Sequence, residues 1–145
     1  MKEIDIKMFT GRTEARLVKL RYDVLPIAMN TTVNITNEDE IVITRVDDRA
    51  ISFEVTRNIV VNPKSLFEIS ATCYLRRSIG EQFQNLVSLK SIDINKFVND
   101  HLADLTNIAF CNLAYIFGSI TGSFGGTPLL TPPAPMKNTN IRIKD

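Results

Sequence analysis

Residues 105–136 read LTNIAFCNLAYIFGSITGSFGGTPLLTPPAPM, and none of these side chains is charged. The 145-residue chain carries 17 basic and 16 acidic residues, 23% of the total, so an uncharged window of this length stands apart. It also holds Gly118, Gly122, Gly125 and Gly126, four of the six glycines, and Pro128, Pro132, Pro133 and Pro135, four of the six prolines. Ile94, Phe97, Val98, Leu102, Leu105, Ile108 and Ala109 recur at three and four residues, and Asp93 is placed to cap a first turn. The spacing predicts one long helix from about Ile92 to about Gly122. Beyond Ile108 that helix is apolar on nearly every side, at Phe110, Leu113, Tyr115, Ile116 and Phe117, and a helix of this kind is buried all round. One sheet face covers only one side of it, so a second subunit is the economical cover for the other. Gly118 and Gly122 lie four apart on one face. Either they admit another backbone at close range, or they weaken and end the helix.

After the helix, proline removes backbone donors and biases each preceding residue toward extended geometry. The run from Gly125 to Pro135 is therefore read as an extended Gly/Pro-rich strap, packed on the core or forming one wall of a groove for extended apolar peptides. An uncharged window this long must also be weighed as a membrane span. Its longest nearly apolar part, 108–117, is about half of the roughly 20 residues a bilayer needs, and polar Thr106, Asn107, Asn112, Ser119 and Thr121 interrupt it. Membrane insertion is not expected.

Upstream the period is two. Leu17, Lys19, Arg21 and Asp23 alternate with Val18, Leu20, Tyr22 and Val24, the pattern of a half-buried strand ended by Pro26. Residues 32–46 are β-rich but broken at Asn37-Glu38-Asp39, giving one kinked strand or two short ones. Ile51, Phe53, Val55, Ile59 and Val61 form the next apolar row, and after a turn at Asn62-Pro63-Lys64 so do Phe67, Ile69, Ala71, Cys73 and Leu75. The expectation is a single α+β domain over 1–145: a four-stranded antiparallel sheet packed on one long C-terminal helix, followed by the strap.

At 44% hydrophobic with a net charge of +1, the chain is neither disordered in composition nor basic enough to hold a phosphate backbone, so nucleic acid is not an expected partner. Charges scattered over 1–20 leave no apolar run for a signal peptide, which points to the cytoplasm. In a reducing compartment Cys73 and Cys111 read as small buried hydrophobes, not as a disulfide. His101 stands beside Asp100 and Asp104, a surface cluster short of the four ligands of a structural zinc site. No nucleophile elbow, Walker loop or Cys-x-x-Cys occurs. No catalysis, metal or cofactor is expected.

This order of elements resembles the SecB-like protein-export chaperone family. The specific stretch is 107–133, NIAFCNLAYIFGSITGSFGGTPLLTPP, which is similar to that family's first helix and the segment after it. The resemblance implies dimers joined through edge strands into an eight-stranded sheet, and a homotetramer made as a dimer of dimers through the helix. It implies an ATP-independent holdase, without cofactor, that binds unfolded client polypeptides in hydrophobic grooves. Phe110, Leu113, Tyr115, Phe117, Phe124, Leu129 and Leu130 would line the groove, and Ile116, Gly118 and Gly122 would pack between subunits. In the export branch the SecA translocase motor docks on the outer sheet face, here at Asp23 on the first strand and Leu66 and Glu68 on the fourth; parity also places Leu66 and Glu68 outside. Export members are strongly acidic, whereas this chain puts Lys19, Arg21 and Arg76 on that face, which weakens steering toward a basic module. The polar tail that the export members carry beyond the second helix is not expected here, and Ile141 and Ile143 alternate as in a strand. These departures shift the reading toward a toxin–antitoxin chaperone whose partner is an antitoxin, or a phage-borne relative. The alternative is a structural protein whose apolar helix is buried in a homo-oligomer without client binding.

Overall fold

A computed structural model describes residues 3–25, 34–64, 66–125 and 128–144, with the side chains of 123–125 left aside. The two clearest alternating rows form β3 (Ala50–Asn62) and β4 (Phe67–Ser78), antiparallel, with Phe53 opposite Leu75 and Val55 opposite Cys73. Residues opposite one another share a face, so each such pair projects the same way. β2 (Asn34–Val46) is one strand: its polar run pairs with β3, Asn37 opposite Ile59 and Asp39 opposite Arg57.

β1 (Glu14–Val24) pairs with β4, and its register slips between Leu17 and Lys19. The bulge overturns the strict alternation expected there. An extra residue reverses parity, so Leu17 opposite Cys73 joins Leu20 opposite Ala71 and Tyr22 opposite Ile69, while Lys19, Arg21 and Asp23 stay on the outer face. The four-stranded expectation is also corrected. The alternating Ile141 and Ile143 belong to β5 (Asn140–Ile143), which runs parallel to β2 and completes a five-stranded mixed sheet of order β1-β4-β3-β2-β5. Hydroxyl pairs line the outer face, Ser52 with Tyr74 at 3.2 Å and Thr56 with Thr72 at 2.7 Å.

The expected single helix is two: α1 (Ile94–Asp100) and α2 (Leu102–Gly125), separated at His101, whose backbone has φ −123° and ψ 27°. Asp93 caps α1, accepting from the Lys96 N–H at 3.2 Å. No proline or glycine marks the break. Its result is two independent buried faces, Val98 on α1, and Leu105, Ala109, Phe110, Leu113 and Phe117 on α2, closing the core over Phe53, Ile69, Cys73 and Leu75. Gly125 is the last residue of α2, so it does not open the strap; Gly126 and Thr127 lie outside the described residues. Among the described residues no helix is long and apolar enough to cross a membrane.

Candidate functional site

Arg57 occupies the core-facing parity of β3, between Val55 and Ile59, and Asp39 the matching position of β2 beside Ile41. Both side chains are 0% exposed. The guanidinium meets the carboxylate as a fork, Nε to Oδ1 at 2.7 Å and Nη2 to Oδ2 at 2.8 Å. Its other donors go to the segment after α2: Nη1 to the Thr131 hydroxyl at 3.1 Å and the Pro132 carbonyl at 2.6 Å, Nη2 to the Ala134 carbonyl at 2.8 Å. All five guanidinium N–H groups thereby have acceptors, which is what burial of such a charge demands. Asp39 also accepts the Met136 N–H at 3.0 Å, and the Arg57 guanidinium carbon lies 4.7 Å from the Phe110 ring centre.

The same segment lies along α2. The Leu129 N–H donates to Thr121 Oγ1 at 2.7 Å, and that hydroxyl donates to the Phe117 carbonyl. A Cβ built on Gly118 would meet the Leu129 carbonyl oxygen at 3.6 Å, and one on Gly122 would come within 2.9 Å of the Pro128 ring. Farther back, Cys111 Sγ lies 4.0 Å from the Pro133 carbonyl. The backbone that approaches these glycines is thus the chain's own, and neither glycine ends the helix. The Gly118 and Gly122 side of α2 has its cover within one protomer.

The candidate groove residues divide. Phe110, Leu113 and Phe117 are fully buried, because the sheet face needs their volume to fill the core, so they line no surface groove in this chain. Tyr115 is 77% and Leu130 85% exposed; Leu129 and Ile116 are half-buried, Leu129 packing on the core. The side chain of Phe124 lies outside the described residues. Sequence reasoning did not single out the other exposed apolar side chains nearby: Leu17 and Leu20 on the helix-bearing side of β1, with Val18 and Val24, and Ile108 on α2. β1 has β4 on one edge and, among the described residues, no strand on the other. A strand with an apolar face and an open edge offers a template for pairing.

On the outer face Asp23 accepts from Arg21 Nε at 2.7 Å, and Glu68 pairs with Arg21 at 3.3 Å and Lys64 at 2.8 Å. The hydrogen bond and charge of Asp23, with the charge of Glu68, raise the Arg21 pKa above its ordinary value. Leu66 precedes β4 with a left-handed φ of 63°, so its exposure follows from the turn and not from strand parity. Cys73 is buried, and burial pushes its thiol up to about 11. Cys111 is exposed on α2, contrary to the expectation that both cysteines are buried, because it points away from the sheet toward Pro133. The His101 ring sits 4.7 Å from that of Phe97, and the described residues contain no group of His, Cys, Asp and Glu able to hold a metal.

No family model and no curated protein matches the sequence. Among solved structures, the Mycobacterium tuberculosis Rv1957 SecB-like chaperone, in complex with a ChAD peptide from the Rv1956 HigA1 antitoxin, matches with a TM-score of 0.58. Identity is 10%, over 86% of this chain and 88% of that one. The chain has a SecB-like fold. A second match, a protein of unknown function from Streptococcus agalactiae, is 12% identical over 84% of this chain and 99% of its own, with a TM-score of 0.48, a likeness that carries no argument. A further feature that sequence reasoning missed is the Asp39–Arg57 pair. Its signal was present in part: Arg57 lies between buried Val55 and Ile59 on the inward parity of β3, while Asp39 on the inward parity of β2 has a buried apolar neighbour on one side, Ile41, and polar Asn37 on the other.

Proposed function

We propose that this protein is an ATP-independent holdase chaperone that binds extended apolar segments of non-native polypeptides, with an antitoxin as its natural client, in the cytoplasm. The observation that carries this is a set of exposed apolar side chains: Leu17 and Leu20 on the helix-bearing side of β1, Ile108 and Tyr115 on α2, and Leu130 beyond it. Surface of this kind, next to an open strand edge, suits an extended peptide that adds as a strand and sets alternate side chains into apolar contacts. The ChAD peptide carried by the Rv1957 chaperone supports an antitoxin segment as the client class. Docking on a translocase motor such as SecA has less support, since Asp23 and Glu68 are already paired with Arg21 and Lys64. Purified protein should suppress aggregation of a denatured model protein near stoichiometry; no suppression at several-fold excess would sink the proposal.

The open edge of β1 also favours self-association, here proposed as a homotetramer built from two dimers. A solution mass about four times 16.3 kDa supports this assembly, and a monomer speaks against it. An oligomer that binds neither client nor an apolar dye would instead be a structural protein with its apolar surface wholly buried.

A further inference from the structure

Leu130 is 85% exposed, yet the chain on both sides of it is fastened down. Before it, the Leu129 N–H is held by Thr121 on α2; after it, the Thr131 hydroxyl and the Pro132 carbonyl are held by Arg57 on β3. The stretch has no regular secondary structure, and Pro128, Pro132, Pro133 and Pro135 supply no backbone donor, so its position depends on the few polar contacts it makes. Most of those contacts lead to one buried pair: Arg57 takes three acceptors from 131–134 and Asp39 takes the Met136 N–H.

We infer that Asp39 and Arg57 are positioning residues for client binding, holding 131–136 against α2 so that Leu130 projects as a fixed apolar contact. This rests on the chaperone reading and adds the device that orients its binding surface. Burial alone does not explain the pair, because well-packed apolar residues in place of a buried ion pair are often neutral or stabilising. An apolar pair would have nothing to offer the Thr131 hydroxyl, the Pro132 and Ala134 carbonyls and the Met136 N–H. The pair's distinctive product is the place of that segment, and a contact fixed beforehand loses less freedom when an extended client binds.

The test uses the full-length chain with Asp39→Leu and Arg57→Met combined, read by hydrogen exchange and by capture of a denatured model protein. Exchange at the Met136 amide, whose N–H is held by Asp39, should rise at least about tenfold while β3 and β4 keep their protection, the mark of a local release. Client affinity should fall at least about tenfold through lost preorganisation. Leu130→Ser should weaken capture with exchange unchanged, and Thr131→Val, which removes one Arg57 contact at little risk to the fold, should show the same pattern as the double variant on a smaller scale. A folded double variant with unaltered exchange at Met136 overturns the inference. So does one that releases the segment but captures client as well as wild type. If the double variant does not fold, Thr131→Val decides, and unaltered exchange and capture overturn the inference. A wild-type protein that captures no client overturns the chaperone reading, a result distinct from these.

Discussion

Asp39 and Arg57 stand directly opposite one another on β2 and β3, joined by two hydrogen bonds of 2.7 and 2.8 Å and closed off from solvent. Removing one partner strands the other's charge. Arg57→Ala should therefore cost about 3–5 kcal/mol in urea-induced unfolding, and Asp39→Ala a similar amount. A loss under about 1 kcal/mol, the range of a surface pair, would show that water reaches the site.

Gly118 and Gly122 look alike in sequence and should behave differently. A methyl on Gly118 meets the Leu129 carbonyl at ordinary contact distance, so Gly118→Ala should keep the helical gain of about 0.5–1 kcal/mol that alanine brings over glycine. A methyl on Gly122 enters within 2.9 Å of the stiff Pro128 ring. Gly122→Ala should lose that gain to a displaced segment, and Gly122→Leu should destabilise by about 1–3 kcal/mol or more. Equal melting temperatures for Gly118→Ala and Gly122→Ala would contradict the packing of 128–129 on α2.

The two thiols should separate under alkylation. Near pH 8 a maleimide should label exposed Cys111 rapidly, and Cys73 only after unfolding. The Cys73 thiol is raised from 9.0 to about 11 by burial, so between those values the unfolded chain holds fewer protons than the native one. Stability should therefore fall as pH rises through this window, with the contribution intact below about pH 9. Cys73→Ala should flatten that part of the pH profile, as followed by chemical denaturation.

Leu17→Glu and Leu20→Lys alter side chains already more than two-fifths exposed, so each should change monomer stability by no more than about 0.5 kcal/mol. Both should reduce association through β1 and lower client capture, as read by light-scattering mass and by aggregation assays. Unchanged mass together with unchanged capture would remove β1 from the functional surface.

How far these features were legible in the sequence depends on the physics behind each. The β3–β4 hairpin followed from alternation, since burial of one face leaves a clean period of two in Phe53, Val55, Ile69 and Cys73. The bulge that carries Leu17 to the helix side follows no glycine or other local sign; only pairing with β4 reveals it. The break at His101 likewise has no breaker residue. Apolar residues all round α2 were legible, but their cover was not. The chain's own Pro128 and Leu129 lie against Gly122 and Gly118, which local periodicity does not register. Arg57 broke the apolar row of β3 in plain view, whereas Asp39 lay in a polar run of β2, and only the cross-strand register gives those two charges a joint meaning.

The short β5 strand bears on what this sheet can become in solution. It occupies Glu40–Ile43, the middle of the outer edge of β2, and leaves only the shorter runs 34–39 and 44–46 of that edge without a strand among the described residues. β1 is the long edge left open among the described residues. A sheet able to grow on one side only has a valency of one: two copies that join through it consume both available edges and stop. Polymerisation needs a second long acceptor edge on every subunit, and β5, four residues long, shortens the one that β2 offers. Release of β5 from β2 should thus lengthen the second edge and favour fibres, which light scattering of a variant lacking 140–143 would show.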